Sequence, residues 1–282
     1  MKDDVHKLSA ATKREGIFAA NRAIGAIKLA VGVRDGMSRR RRVAEDGPLR
    51  VRFPNQQAAD LEAVIVNTAG GIAGGDRHRL EMSVQDDASL VVTTAAAEKV
   101  YRALGPAAEI EIKLNVGAGA RLAWLPQETI LFDRARLSRR IDVELAPDAS
   151  LTMAEMIVFG RSAMGEAVAT GSFTDRWRVR RGGRLLFAET LKLDGAIAQM
   201  LAEPAAVAGG IAIATVLIVP ADDVVIARVR ALNDTFAGEV GISAWNGIAL
   251  ARLCAKDGAS LRHDLAAVLP ALSASLPRIW LN

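Results

Sequence analysis

The order of apolar and polar residues along the chain predicts a protein built mainly of short β-strands. Between Arg79 and Val84 the two kinds of residue alternate, which is the two-residue period of a half-buried strand. The same period recurs at Ile110–Val116 and Ile141–Leu145. Further segments of strand length and composition are Leu49–Phe53, Ala63–Val66, Ile211–Val219 and Val224–Val229.

A seven-residue pattern recurs four times where these strands end. In each copy an apolar residue precedes a turn of Asp, Gly or Pro, a small residue stands fifth, and an apolar residue stands seventh. The copies are Val84–Leu90, Val116–Leu122, Leu145–Leu151 and Val179–Leu185. A strand–turn–strand unit repeated about every 30 residues is typical of stacked β layers that cover each other's apolar faces. The pattern therefore predicts a mainly β fold, an irregular β-helix-like stack of sheets.

The most glycine-rich stretch is Asn67–Asp76, with the sequence NTAGGIAGGD. It lies between the predicted strand Ala63–Val66 and the alternating segment Arg79–Val84, so it joins strand to strand. A phosphate-binding loop would instead lead into a helix whose N-terminal amides face the phosphate. The stretch therefore predicts a tight bend and not a nucleotide site.

The C-terminal third contains the best helix candidates. These are Glu239–Ala255 and Ser260–Leu269, the second with Ser260 as its predicted N-cap and an apolar face that ends before Pro270. Such segments predict a small α-helical part at the C-terminal end of the β stack.

The chain has no long linker, so we expect a single domain over residues 1–282. Within it, β repeats are expected at about 49–230 and the helical part at about 237–282. Residues 1–20 suggest a poorly ordered or loosely docked start, and Arg34–Gly47 a charged loop.

The composition is that of a globular protein, with 51% apolar and 24% charged residues. A net charge of +4 is too small and dispersed to indicate a nucleic-acid partner. The dense basic run Arg39–Arg42 is interpreted as a solvated loop, with a polyanion or an acidic protein as alternative partners. The N-terminus lacks a signal-peptide core, and Ala205–Val219 is too short to span a membrane. These features predict a cytoplasmic protein.

Few residues have the spacing of catalytic or metal-binding groups. Cys254 is the only cysteine, and the three histidines are too far apart in sequence to share a helix turn. Gly160–Gly165 (GRSAMG) is one residue too long for the Gly-x-Ser-x-Gly turn that exposes a nucleophilic serine. We therefore expect no catalytic residue, no tightly bound cofactor, and a β scaffold that works through its surface.

Two carboxylates are predicted to face the interior. Glu128 lies six residues after Leu122, and Glu155 lies four residues after Leu151. Both offsets are even, so both side chains should lie on the buried side if the strands stay regular. Buried carboxylates are unfavourable unless they are paired or hydrated. One interpretation is a β-helix or β-sandwich carbohydrate hydrolase that uses Glu128 and Glu155 as its catalytic pair.

Four ordered strings carry a resemblance that covers nearly the whole chain. They are NTAGGIAGGD at 67–76, TTAAAEKVYRA at 93–103, LPQETILFDRA at 125–135 and MAEMIVFGRSAMGE at 153–166. In this order and at these spacings they resemble the urease accessory protein family UreD, called UreH in some organisms. The chain departs from the usual pattern at Arg134, where members of the family often carry glycine.

The resemblance implies a cytoplasmic, non-catalytic, chaperone-like urease maturation factor with an irregular β-helix fold. Its partners would be the urease apoprotein, UreF and the GTPase UreG, with no nucleic-acid or membrane partner. It also implies an internal passage for nickel in transit to the urease active site. Asp76, Glu128 and Glu155 are then the candidate passage residues, because a hard divalent cation in transit favours loosely held oxygen ligands.

Overall fold

A computed structural model describes residues 22–54, 60–161, 164–272 and 276–281 of the chain. The predicted loose start at residues 1–20 lies outside the described residues.

Strands dominate, as the alternating pattern predicted. In chain order the strands are β1 Ile24–Arg34, β2 Met37–Asp46, β3 Leu49–Arg52, β4 Leu61–Asn67, β5 Arg77–Val84, β6 Ser89–Thr94, β7 Glu98–Val100, β8 Ala108–Val116, β9 Arg121–Trp124, β10 Thr129–Leu131, β11 Arg136–Leu145, β12 Ser150–Phe159, β13 Gly171–Arg181, β14 Arg184–Gly195, β15 Ala212–Val219, β16 Glu239–Trp245 and β17 Ile248–Ala255. The helices are α1 Ile197–Ala202, α2 Asp223–Arg230 and α3 Gly258–Ala271, with short 3₁₀ turns at Asn233–Thr235 and Arg278–Leu281.

The strands form two sheets that face each other. The seven-stranded sheet has the order β14-β13-β11-β8-β5-β1-β2. The ten-stranded sheet follows the path β16-β17-β15-β12-β9-β6-β4-β3, with β10 paired to β12 and β7 paired to β10. The central strands of both sheets are parallel, because the chain alternates between the sheets at each turn of the stack. This arrangement confirms the predicted mainly β, solenoid-like fold.

Three of the four seven-residue repeats form corners of the stack. Val84–Leu90, Val116–Leu122 and Leu145–Leu151 each carry the chain from the seven-stranded to the ten-stranded sheet. The fourth copy, Val179–Leu185, is instead a hairpin between β13 and β14 within one sheet. Both glycines of its turn have positive φ, 54° and 76°, as in the two-residue turns that favour hairpins. The prediction of a fourth stacked corner was therefore wrong.

The glycine stretch joins strand to strand, as predicted. Strand β4 ends at Asn67, and β5 begins at Arg77. Gly71 lies in the bend with a φ of 153°, and a Cβ atom there would approach the Tyr101 ring to 2.5 Å. Only glycine allows the bend to lie this close to the segment that follows β7.

The segment Val224–Val229 belongs to helix α2, and its prediction as a strand was wrong. Asp222 caps the helix, because its Oδ1 accepts the Val225 N–H at 3.1 Å. Ile226 and Val229, three residues apart, form the buried face. Capping and burial of this face outweigh the strand preference of the β-branched residues. By contrast, the predicted strand Ile211–Val219 is present as β15.

The segment Glu239–Ala255 is the hairpin of β16 and β17, and its prediction as a helix was wrong. Trp245 pairs with Ile248 across a two-residue turn. The turn residues Asn246 and Gly247 have φ values of 50° and 75°. Asn-Gly is a strong hairpin signal, because both turn positions require positive φ.

Two other segments differ from their predictions. The C-terminal helix α3 is present, but its N-cap is Asp257, whose Oδ1 accepts the Ser260 N–H at 2.8 Å. The segment Arg34–Gly47 was predicted to be a loop, yet most of it is the edge strand β2, paired with β1. The arginine run Arg39–Arg42 lies on this strand and is mostly exposed. Polar residues on both sides of β2 hide the alternation that would reveal a strand.

Among the described residues the apolar core has three clusters. One lies between the two sheets near the corners and includes Leu90, Leu114 and Leu151. A second lies between the sheets toward their opposite end and includes Leu137 and Phe159. The third lies between the outer face of the ten-stranded sheet and helices α2 and α3. Within the described residues no helix is long and apolar enough to cross a membrane.

Candidate functional site

A layer of polar side chains separates the two apolar clusters that lie between the sheets. Its centre consists of Arg139 on β11, Glu155 on β12 and Asp175 on β13, all three buried. On each strand the residues two positions before and after are apolar and buried, so the strand period directs the charged side chain inward. We refer to Arg139, Glu155 and Asp175 as the buried ionic layer.

The Arg139 guanidinium joins both carboxylates of the buried ionic layer. Its Nε and Nη2 atoms donate to Asp175 Oδ1 and Oδ2 at 3.0 and 2.6 Å. Its Nη1 atom donates to Glu155 Oε2 across the space between the sheets. Trp124 Nε1 donates to Glu155 Oε1 at 2.8 Å. Trp177 Nε1 donates to Asp175 Oδ2 at 3.1 Å, so all four carboxylate oxygens have a donor.

Burial and charge pairing oppose each other in the buried ionic layer. Burial alone would lower the pKa of Arg139, but the carboxylates of Asp175 and Glu155 outweigh burial and raise it. Burial raises the pKa of Glu155, while Arg139 opposes that rise and Asp175 adds to it. Buried charges of this kind are tolerated only while their partners remain in place.

On one side the layer continues through a small cavity toward β14 and β17. The cavity has a volume of about 20 Å³, room for one water molecule, and its lining includes Glu155, Asp175 and Glu189. Glu189 Oε1 pairs with Nη1 of the exposed Arg252 at 2.8 Å. Glu189 Oε2 is buried and has no hydrogen-bond partner in the described part of the chain. Carboxylate oxygens thus extend from the centre of the layer to the surface.

On the other side the layer continues to Glu98 on β7. Glu98 pairs in register with Thr129, whose Oγ1 lies 3.4 Å from Arg139 Nη1. Asn67, the last residue of β4, donates from Nδ2 to Glu98 Oε1 at 3.0 Å. Burial raises the pKa of Glu98 to about 7, with the Asn67 hydrogen bond opposing the rise and Asp76 adding to it. Glu98 is therefore a half-buried carboxylate that titrates near neutral pH.

The predicted candidate Asp76 fixes the glycine-rich bend. It is buried, and its Oδ1 accepts the Ala23 N–H at 2.9 Å while its Oδ2 accepts the Ala73 N–H at 2.7 Å. His78 follows on the inner face of β5, where burial lowers its pKa and Asp76 opposes that effect. His78 Nε2 is buried and has no hydrogen-bond partner among the residues described. Asp76 thus combines a turn-capping role with a position near Glu98.

Comparison with known proteins identifies the family. The family model of the UreD urease accessory protein matches residues 23–281. A urease accessory protein UreD of Bradyrhizobium diazoefficiens is 60% identical over 266 residues, which cover 94% of this chain and 96% of that protein. One from Rhodopseudomonas palustris strain BisB5 is 53% identical over 283 residues, with both chains fully covered. The chain belongs to the UreD family. The resemblance of its four sequence strings is thereby confirmed.

In this UreD-family chain the side chain of Glu128 does not lie on the inner side with Leu122, contrary to the prediction. The backbone leaves strand geometry between β9 and β10, so the even offset from Leu122 no longer determines where the side chain points. Glu128 Oε2 lies 3.3 Å from Nη1 of Arg262 on α3, on the helix-covered side of the ten-stranded sheet. Glu155 lies on the inner face of that sheet, as predicted. Because the sheet separates the two carboxylates, the hydrolase interpretation loses its catalytic pair.

The sequence analysis missed Arg139 and Asp175, although the sequence contains a signal for both. Arg139 stands between Leu137 and Ile141 at two-residue spacing, and the sequence FTDRW places Asp175 between Phe173 and Trp177 in the same way. Charged neighbours in both segments hide this inward position. To recognise the inward position, one must extend the two-residue period of apolar residues across a charged residue that occupies one of its positions.

We use the name polar layer for the buried ionic layer together with Glu98 on one side and Glu189 on the other. Its carboxylates follow one another through the interior of this UreD-family chain. Glu98, Glu155, Asp175 and Glu189 are distributed along the interior on four different strands. Within residues 22–54, 60–161, 164–272 and 276–281, no three His, Cys, Asp or Glu side chains are grouped closely enough to hold a metal ion. Single carboxylates in series suit brief contacts with a hydrated cation, because each contact is weak.

Proposed function

We propose that this chain is a urease maturation factor that acts in the cytoplasm as a non-catalytic, chaperone-like scaffold. It binds the urease apoprotein and, with UreF and the GTPase UreG, enables nickel insertion into the urease active site. The observation that carries this proposal is the family match over residues 23–281. The relatives at 53–60% identity, named urease accessory proteins, support it.

The proposal includes a path for nickel in transit through the polar layer. Oxygen ligands and water suit a divalent cation that must be released again, whereas thiolate or imidazole cages would hold it tightly. Glu155 stands at the centre of the path, and Glu189 stands where the cavity approaches the surface. Asp76 and Glu98 stand toward the other side. Glu128 is left out of the path because it contacts α3.

A gene-deletion experiment tests the maturation role. We expect loss of urease activity when the gene is deleted in a urease-positive host, and recovery when the intact chain is supplied. Co-expression with UreF should yield one complex in size-exclusion chromatography. Unchanged urease activity in the deletion strain would contradict the proposal, and separate elution of the two proteins would contradict the partnership.

A matched pair of substitutions tests the path. Glu155→Gln keeps the size of the side chain and removes a charge inside the sheets, whereas Glu128→Gln makes the same change on the helix-covered side. We expect both variants to bind UreF and the urease apoprotein. Nickel per urease active site should fall with Glu155→Gln and stay normal with Glu128→Gln. Normal nickel with both variants would remove the path and leave the scaffold role intact.

A further inference from the structure

The buried ionic layer is closed to a cation in the described arrangement, because the Arg139 guanidinium already neutralises its carboxylates. Each oxygen of Glu155 and Asp175 accepts a hydrogen bond from Arg139 or from an indole N–H. A divalent cation would also meet the positive charge of the Arg139 guanidinium. A cation that enters the layer therefore competes with Arg139 for the same carboxylates.

The two contacts of Arg139 are unequal. Arg139 and Asp175 are register partners on adjacent strands of one sheet, and the guanidinium forms two hydrogen bonds to this carboxylate. The contact with Glu155 is a single bond from Nη1 that crosses from one sheet to the other. A paired, fork-like contact holds its geometry better than a single bond. The contact with Glu155 can thus break, through a turn of the Glu155 side chain, while the guanidinium stays bound to Asp175.

Space for such a change exists beside the layer. The cavity of about 20 Å³ touches Glu155 and Asp175 and is also lined by Thr215 and Glu189. A water molecule or a small side-chain shift can be accommodated there. On the opposite side, Thr129 Oγ1 lies 3.4 Å from Arg139 Nη1 and offers a neutral acceptor.

We propose that Arg139 is the gate of the polar layer, a positioning residue that keeps Glu155 occupied until a cation passes. In the closed state Nη1 binds Glu155. In the open state Arg139 is retained by Asp175, with Thr129 as a neutral acceptor, and Glu155 is available to a hydrated divalent cation. This inference rests on the proposed nickel path. It adds that the layer admits a cation only by exchange with the guanidinium.

Binding of Ni²⁺ to the purified full chain tests the gate without reference to urease. We expect Arg139→Gln to bind Ni²⁺ at least about tenfold more tightly than the intact chain in calorimetry, since the competing charge is gone. The gain should disappear in the double variant Arg139→Gln with Glu155→Gln. The neighbouring Arg140→Gln serves as the matched control, because Arg140 is exposed and pairs with Asp142.

A conservative variant guards against misfolding of the first one. Arg139→Lys keeps the charge but lacks the fork that holds Asp175 and Glu155 together. It should restore most of the thermal stability and show an intermediate Ni²⁺ affinity. A purely structural Arg139 predicts restored stability with Ni²⁺ affinity unchanged in both variants, and that result would overturn the gate.

The outcomes for the gate and for the nickel path are distinguishable. Tighter Ni²⁺ binding by Arg139→Gln together with normal nickel in urease matured with Glu155→Gln would support exchange at Arg139 and reject the path. Unchanged Ni²⁺ binding by Arg139→Gln and Arg139→Lys, together with nickel-poor urease from Glu155→Gln, would reject the gate and support the path.

Discussion

A glutamate on the inner face of the ten-stranded sheet and one on its helix-covered side differ in how deeply they are buried. On the inner face Glu155 is 3% exposed and is held by a buried guanidinium and an indole N–H. On the helix-covered side, the side chain of Glu128 is 23% exposed and meets Arg262, which is itself 28% exposed. Both glutamates have an arginine partner, yet only one pair is sealed from water.

Burial decides how much each pair matters. A buried ion pair is only as stable as its complete set of partners, because removal of one partner leaves a charge in a medium of low polarity. A solvent-exposed pair loses little, because water and salt take over the role of the missing partner. The inner face should therefore respond strongly to the loss of one charge, and the helix-covered side weakly.

The largest effect is expected from Arg139→Ala. This change leaves Glu155 and Asp175 without their common partner, and the free energy of unfolding should fall by about 3–5 kcal/mol. Urea denaturation of the intact chain and of Arg139→Ala measures this difference in the free energy of unfolding. Arg140→Ala is the control on the adjacent residue, and it should change stability by no more than about 0.5 kcal/mol because Arg140 is exposed. Equal losses in the two variants would contradict the conclusion that burial decides how much an ion pair matters.

A triple variant sharpens this test. Arg139→Met combined with Glu155→Leu and Asp175→Leu removes every charge of the buried ionic layer. It should be more stable than Arg139→Ala, because no unpaired charge remains. It should stay below the intact chain, because the indole N–H groups of Trp124 and Trp177 lose their acceptors at about 1–3 kcal/mol each.

The next largest effect is a pH dependence of stability that comes from Glu98. This inner-face carboxylate accepts its hydrogen bond from the neutral amide of Asn67. Burial raises its pKa from 4.5 to about 7, so the folded protein holds this proton more tightly than the unfolded chain does. The resulting stabilisation is complete below pH 4.5 and is lost as the pH rises to about 7. The full loss amounts to about 3 kcal/mol.

Glu98→Gln should remove this pH dependence, because glutamine stays neutral. Relative to the intact chain, the variant should gain up to about 3 kcal/mol between pH 5 and pH 7.5 in urea denaturation. Glu109→Gln is the control, since Glu109 is exposed and faces Arg77. Stability curves that stay parallel for Glu98→Gln and the intact chain would show that burial leaves this carboxylate unaffected.

Local sequence signals predicted the stack but not the partners inside it. Alternation in Arg79–Val84 and the turn residues of Val84–Leu90 are local properties, and they gave a strand and a corner correctly. The Asn246–Gly247 turn is also a local signal, but the apolar residues around it suggested a helix where the structure has a hairpin. Arg139 meets Asp175 from 36 residues away, and no local pattern identifies that pairing.

The same reasoning explains why one predicted glutamate lay inside and the other did not. The strand from Leu151 through Glu155 is continuous, so an even offset keeps the side chain on one face. Between Leu122 and Glu128 the strand ends at Trp124, and the parity of the offset loses its meaning. An offset predicts direction only where hydrogen bonding to a neighbouring strand maintains the pleat.

A smaller effect is expected from Glu128→Gln on the helix-covered side. The contact with Arg262 is partly exposed, so its loss should lower the free energy of unfolding by about 1 kcal/mol or less. The difference should shrink as NaCl rises from about 0.05 M to about 1 M, because salt screens exposed pairs. The loss in Arg139→Ala should persist at high salt. A salt-insensitive loss in Glu128→Gln would place both pairs in the same class.

The smallest effect, with the opposite sign, is expected from Arg134→Gly. Arg134 is exposed and has a φ of 60°, a conformation that disfavours residues with a Cβ by about 1–2 kcal/mol. Glycine removes that strain but adds about 0.5–1 kcal/mol of unfolded-chain entropy, so a net gain of about 0.5 kcal/mol is expected. The turn should persist, because its backbone bonds to Thr170 and Ala103 need no side chain. Calorimetric melting of the variant should show a slightly higher Tm. A lower Tm would mean that the exposed contact of Arg134 with Asp133 outweighs backbone strain, so that a surface arginine here stabilises the fold as Arg139 does inside.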